Sequence, residues 1–173
     1  MNILFLPDAS RDTLTWFNQL QQQLHLGHQN CIKNNHSCSK YNYSFWHNDS
    51  NQPSLNHEIS QLPNFEFDRV IAKSLGTLIF LQAAASSLLS WKKALLVGIP
   101  LRLAEQTKFN KKSLKLLRNP NVHIVQQRND KLCPCNELTI HQPKYLLQIA
   151  GSDHNYNDFS LYANTCRAWI NQA

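Results

Sequence analysis

The chain is 173 residues long, 42% of them hydrophobic, with a formal net charge of +6. That length suits one domain, residues 1–173, with interior enough to fold without disulfide staples, and the apolar fraction excludes an intrinsically disordered chain. No apolar run approaches the roughly 20 residues needed to cross a bilayer, so no membrane partner is expected.

In chain order, Ile3 to Leu6 is an apolar run that stops at Pro7-Asp8, a strand. Thr13 to Leu26 has helical spacing, with Leu14, Phe17, Gln21 and Leu24 on one face. Asn30 to Pro53 is polar and rich in Asn, Ser and His, with one aromatic, strand-like stretch at Tyr41 to Trp46. Leu55 to Leu62 reads as a short helix stopped by Pro63, and Arg69 to Ala72 as a strand. Leu75 to Leu89 is helix-like and apolar nearly all round, the pattern of a buried helix. Ala94 to Val97 is a strand ended by Gly98-Ile99-Pro100, and Lys111 to Leu117 a basic helix. Val122 to Val125 and Tyr145 to Ile149 are the last two strands. Phe159, Tyr162, Ala163, Cys166 and Ile170 then mark a C-terminal amphipathic helix.

Short apolar strands without polar alternation, set between helices, signal a sheet covered on both faces. The expected fold class is therefore α/β: a doubly wound, mostly parallel sheet of about six strands with helices on both faces.

Five cysteines are an odd number for a disulfide framework, and Met1 to Asp8 has neither a basic stretch nor a long apolar core. Reduced thiols and a cytoplasmic location are the expectation. Cys133-Pro134-Cys135 with Cys31, His36 and Cys38 can be drawn as a zinc site, but the spacing is not the repeated Cys-x2-4-Cys pair, and ordinary thiols are the simpler reading. The positive charge concentrates at Lys108, Lys111, Lys112, Lys115 and Arg118. Only Phe109 lies among these cations, so a solvated face is expected rather than a nucleic-acid surface.

There are only four glycines, so their placement carries information. Gly76 stands in Val70-Ile71-Ala72-Lys73-Ser74-Leu75-Gly76-Thr77, between a strand and a buried helix. A serine on a sharp strand-to-helix turn needs small neighbours two positions to either side. This stretch resembles the nucleophile elbow of α/β-hydrolases, Gly-x-Ser-x-Gly, with Ala72 at the first small position. In that family the chain order is Ser, then Asp, then His. The strand at Val122 runs into Gln127-Arg128-Asn129-Asp130, which resembles the acid loop. The last strand runs into Ala150-Gly151-Ser152-Asp153-His154-Asn155-Tyr156, which resembles the histidine loop.

The resemblance covers nearly the whole chain and implies a small, lidless serine hydrolase of esterase type. Ser74 would be the nucleophile, His154 the base and Asp130 the acid. Asp153 adjoins His154 too closely to orient its ring. The oxyanion hole would use the backbone N–H of Leu75 and one from the loop after the first strand, at Ala9 or Asp8. Asp8 brings a negative charge near the developing oxyanion, unfavourable unless its side chain turns away. Ile99 to Asn121 spans 121 − 99 + 1 = 23 residues, too few for a separate cap beyond the crossover itself. Acyl contact would then fall to Ile99, Pro100 and Leu101. The resemblance implies a small-molecule acyl substrate and no metal or organic cofactor. The alternative is a catalytically reduced member of the fold that acts as a binding module, motivated by Ala72 and the Pro7-Asp8-Ala9 loop.

Overall fold

The computed structural model describes residues 1–24, 37–47, 54–104 and 106–171. They build one six-stranded sheet: β1 (Asn2–Leu6), β2 (Ser37–Lys40), β3 (Phe67–Lys73), β4 (Trp91–Val97), β5 (Val122–Gln127) and β6 (Tyr145–Ile149). All neighbouring strands are parallel, in the order β2-β1-β3-β4-β5-β6. The helices are α1 (Thr13–Gln23), α2 (Leu55–Ser60), α3 (Leu75–Ala85), α4 (Cys135–Thr139) and α5 (Ala163–Asn171).

Alternation along the strands divides the core in two. Leu4, Leu6, Val70, Ala72, Leu96 and Ile124 pack on the face covered by α2 and α3. Ile3, Phe5, Ile71, Leu95, Val97 and Val125 pack on the opposite face, beneath α1 and α5. The chain steps outward from β1 to β2, then returns across β1 to β3 and proceeds the other way. The strand order thus reverses between β1 and β3, and the crevice at the carboxyl ends of strands beside such a switch point is where open α/β sheets bind ligands.

Several expected elements are placed differently. The edge strand is Ser37–Lys40, not Tyr41 to Trp46. An edge strand pairs through its backbone on one side only and needs no apolar side chains. The aromatic stretch instead contains a 3₁₀ turn, Ser44–His47, and packs as a cluster in which Tyr43 is fully buried beside Tyr41, Phe45 and Trp46. Glu58, buried on α2, fixes this stretch by accepting bonds from the Ser44 N–H at 3.1 Å and the Tyr41 hydroxyl at 3.2 Å.

The buried stripe of α1 is Thr13, Trp16, Phe17 and Leu20, because the two large rings set its rotation, and Leu14 and Gln21 lie at its margin. Leu26 lies outside the described residues. The buried helix α3 ends at Ala85 rather than Leu89. Ser87 takes a left-handed conformation (φ 56°) and Leu88 N–H reaches back to the Ala83 carbonyl, a Schellman stop made by serine where glycine is usual.

The basic stretch is a 3₁₀ helix, Lys111–Arg118, with Leu114 and Leu117 inward and Lys111, Lys112, Lys115 and Arg118 exposed. The C-terminal pattern is two elements, a 3₁₀ turn at Phe159–Leu161 and then α5, parted at Tyr162, whose hydroxyl is tied to the Tyr156 carbonyl. The described residues contain no helix long and apolar enough to cross a membrane.

Candidate active site

Ser74 follows the last residue of β3 and precedes the first residue of α3. Its backbone is strained, with φ 49° and ψ −117°, a conformation rare for a residue with a side chain. Three bonds hold the turn: Ser74 N–H to the Val97 carbonyl at 2.9 Å, and the Thr77 N–H and hydroxyl to the Ser74 carbonyl at 2.8 and 2.6 Å. Gly76 explains the close approach. A Cβ there would land on the Leu6 carbonyl and stand 2.6 Å from the Pro7 oxygen, so α3 begins almost in contact with the end of β1. Ala72 points into the core on the α3 face and is fully buried, so its methyl is accommodated.

His154 lies on the loop after β6. Its Nε2 is 2.8 Å from the Ser74 Oγ, and its Nδ1 is 2.7 and 2.8 Å from the two carboxylate oxygens of Asp130. The structure thus brings together, from three loops at the carboxyl edge of the sheet, the three residues named from sequence. Asp130 has no exposed surface. Burial alone would push its carboxyl up, but hydrogen bonds from His154, from the Tyr156 hydroxyl at 2.6 Å and from the Leu132 N–H at 2.8 Å outweigh it and hold the group below the usual range. Asp153 is occupied elsewhere, accepting from the Asn155 N–H at 3.0 Å and from Gln127 Nε2 at 2.9 Å.

Sequence reasoning missed the residues that set this arrangement. Tyr156 donates to Asp130 and accepts from the Gln127 N–H at 3.0 Å, and burial together with the bond to Asp130 raises its pKa far above the ordinary phenol. Its own carbonyl is anchored by the Trp16 indole N–H at 2.9 Å and by the Tyr162 hydroxyl. Gln127 receives the His154 N–H at 3.0 Å, and Gln126 bridges the Ile99 N–H and the Cys133 carbonyl. The signal was present: two adjacent glutamines end the β5 strand, and buried polar groups of that kind must find partners. Gly98 adopts φ 68°, and a Cβ there would stand 2.5 Å from the Tyr156 ring and 3.2 Å from His154 Cε1. His154 and Tyr156 also have positive φ, 65° and 59°, so strained backbone concentrates around the triad.

Leu75 opens α3, where an N–H has no acceptor within the helix. In the β1 loop, the Tyr43 hydroxyl holds the Pro7 carbonyl at 2.5 Å and Trp46 Nε1 holds the Ala9 carbonyl at 2.8 Å. The Asp8 carboxylate takes the Ser10 N–H at 2.6 Å and forms an ion pair with Lys73 at 2.7 Å, which neutralises it. Neither the Asp8 nor the Ala9 N–H has an acceptor among the described residues. Of the three residues expected to contact the acyl group, Ile99 is fully buried in the core and offers no surface, Pro100 is buried and Leu101 half-buried, all on the loop after β4.

Among the described residues no three His, Cys, Asp or Glu side chains gather as metal ligands. Cys31 and His36 lie outside the described residues. Cys133 is buried, and burial and Glu137 push its thiol up to about 12.

No family model matches the chain. No curated protein matches it in sequence. Among solved structures it is similar to alpha/beta hydrolase domain-containing protein 10 from mouse, at 12% identity and a TM-score of 0.61, over 98% of this chain and 87% of that one. At that identity the likeness is one of fold, and the chain has an α/β-hydrolase-like fold: a six-stranded parallel sheet with helices on both faces.

Proposed function

We propose that the protein is a serine hydrolase that cleaves small acyl esters through an acyl-enzyme. The observation that carries this reading is the continuous hydrogen-bonded relay from Ser74 through His154 to the buried Asp130. Ser74 Oγ attacks the acyl carbon as its proton passes to His154 Nε2. Asp130 holds the imidazole by Nδ1 and balances the imidazolium. The oxyanion forms against the Leu75 N–H and that of Ala9 or Asp8. His154 returns the proton to the leaving oxygen as the carbon–oxygen bond breaks. Water, deprotonated by His154, then attacks the acyl carbon and releases the acid and Ser74. The acyl side is assigned to the loop after β4, where Leu101 is the residue with exposed surface, while Ile99 is sealed in the core beneath it.

A fluorophosphonate probe tests this directly. Stoichiometric labelling that disappears in Ser74→Ala is expected. A folded protein left unlabelled would refute it and favour a binding module on the same fold.

A further inference from the structure

A cleft of 620 Å³, within the range that holds a small organic ligand, is lined by the chain neighbours of Ser74 and His154. Three of the four segments that serve the proposed chemistry contribute to its wall: Asp8 from the β1 loop, Lys73 immediately before Ser74, and Asn155 and Asn157, one and three residues after His154. Its far side is the first turns of α1, including Asp12 and Trp16. We infer that this cleft is the leaving-group subsite and that it takes a neutral polyhydroxylated alcohol, so that the substrates are short acyl esters of polyols. The inference rests on the serine-hydrolase reading and refines it.

Placement comes from the proton path. His154 must hand its proton to the leaving oxygen, so the alcohol departs on the side of the histidine loop, which is the side Asn155 and Asn157 line.

Chemistry comes from the wall. Ser10, Thr13, Thr15 and Gln19 complete it, leaving the Trp16 ring as its main apolar part. An anionic alcohol finds no spare cation there, because Lys73 is bound to Asp8 at 2.7 Å and also lies over the Trp16 ring at 5.7 Å, while Asp12 adds a repelling charge. An alkyl alcohol would displace water from carboxylates, amides and hydroxyls without replacing its hydrogen bonds, and unpaired polar groups are what such a site rejects. Hydroxyl groups both donate and accept, so a polyol satisfies Asp12 and Asn157 together.

The test compares glycerol monoacetate with butyl acetate, which share an acyl group and differ in the alcohol, by acetate release at fixed pH. Fluorophosphonate labelling runs in parallel. The expected kcat/KM ratio favours the glycerol ester by about tenfold or more, as one or two net hydrogen bonds would give. In Asp12→Ala and in Asn157→Ala the ratio should fall toward one. Because it is read within each variant, a partial loss of folded protein cancels. If Ser74 is labelled but the two esters react equally, or neither reacts, or both variants keep the wild-type ratio, the polyol subsite is overturned and the hydrolase reading stands. If Ser74 is unlabelled and neither ester reacts, the hydrolase reading fails and the subsite with it.

Discussion

Tyr156→Phe isolates the contribution of one hydroxyl to the triad. In the wild type that oxygen donates to Asp130 at 2.6 Å and accepts from the Gln127 N–H at 3.0 Å, in a site where Tyr156 is 1% and Asp130 0% exposed. Phenylalanine keeps the ring packed against His154, with centroids 5.8 Å apart, and removes only these two bonds. A hydrogen bond to a buried charge contributes about 1.5–3 kcal/mol, and the orphaned Gln127 N–H adds a desolvation cost of about 1–3 kcal/mol. Allowing for partial relaxation, the variant should lose about 2–4 kcal/mol, a fall in Tm of roughly 5–15 °C for a chain of this size. There is a pH signature as well. Asp130 is held below the usual carboxylate range, so its stabilisation is present above the unfolded pKa and is lost as pH falls through the folded one. Removing a donor raises the folded pKa toward the unfolded value, so acid unfolding of Tyr156→Phe should begin at higher pH than in the wild type. The rate of fluorophosphonate labelling should drop about tenfold, because Asp130 is less firmly held beneath His154. Circular dichroism melts and acid titrations of the two proteins provide the check. A Tm within about 2 °C of wild type with coincident acid transitions would refute the assignment of Tyr156 as the support of Asp130.

Ser74→Ala and His154→Ala should each abolish ester turnover, and Asp130→Asn should lose on the order of 10⁴ in kcat, with losses that do not add when combined. Near wild-type turnover in Asp130→Asn would mean another acid serves His154. Gly76→Ala drives a methyl into the Leu6 carbonyl, which is backbone and cannot swing away, so it should yield little folded protein by thermal melt and size-exclusion chromatography. A normal melt would disprove the close packing of α3 on β1. Lys73→Met leaves the Asp8 carboxylate, 17% exposed, without its cation and should cost about 1–3 kcal/mol in urea unfolding. Asp8→Asn in the same background should recover part of that loss, and strict additivity would show the pair is uncoupled. Across a nitrophenyl ester series, rates should favour short acyl groups, since the β4–β5 connection folds as two 3₁₀ helices with Leu114 and Leu117 turned into the core. A steady climb from acetate to palmitate would contradict an uncapped site.

Much of the fold was legible because its signals are local. Continuous apolar runs at Ile3, Arg69, Ala94 and Val122 mark strands buried on both faces, the run at Tyr145 marks an edge strand that is largely exposed or half-buried, and the helical spacing between them requires parallel crossovers. Ser74, Asp130 and His154 were legible as a set because each follows its own strand, and parallel strands deliver their carboxyl ends to one edge. What lay beyond the sequence depends on contacts between distant residues. The edge strand Ser37–Lys40 is polar and exists because β1 offers its backbone. The rotation of α1 is set by Trp16 and Phe17 against the sheet, and the stop of α3 by a serine in a left-handed conformation that its residue type does not announce. The same holds inside the site. Tyr156 reaches Asp130 across 26 residues, Lys73 reaches Asp8 across 65, and Tyr43 reaches Pro7 across 36. Candidate residues can be named from residue type and order along the chain. Which polar groups satisfy one another in a buried site is decided only once the sheet has closed around them, because each must find its partner where water is excluded.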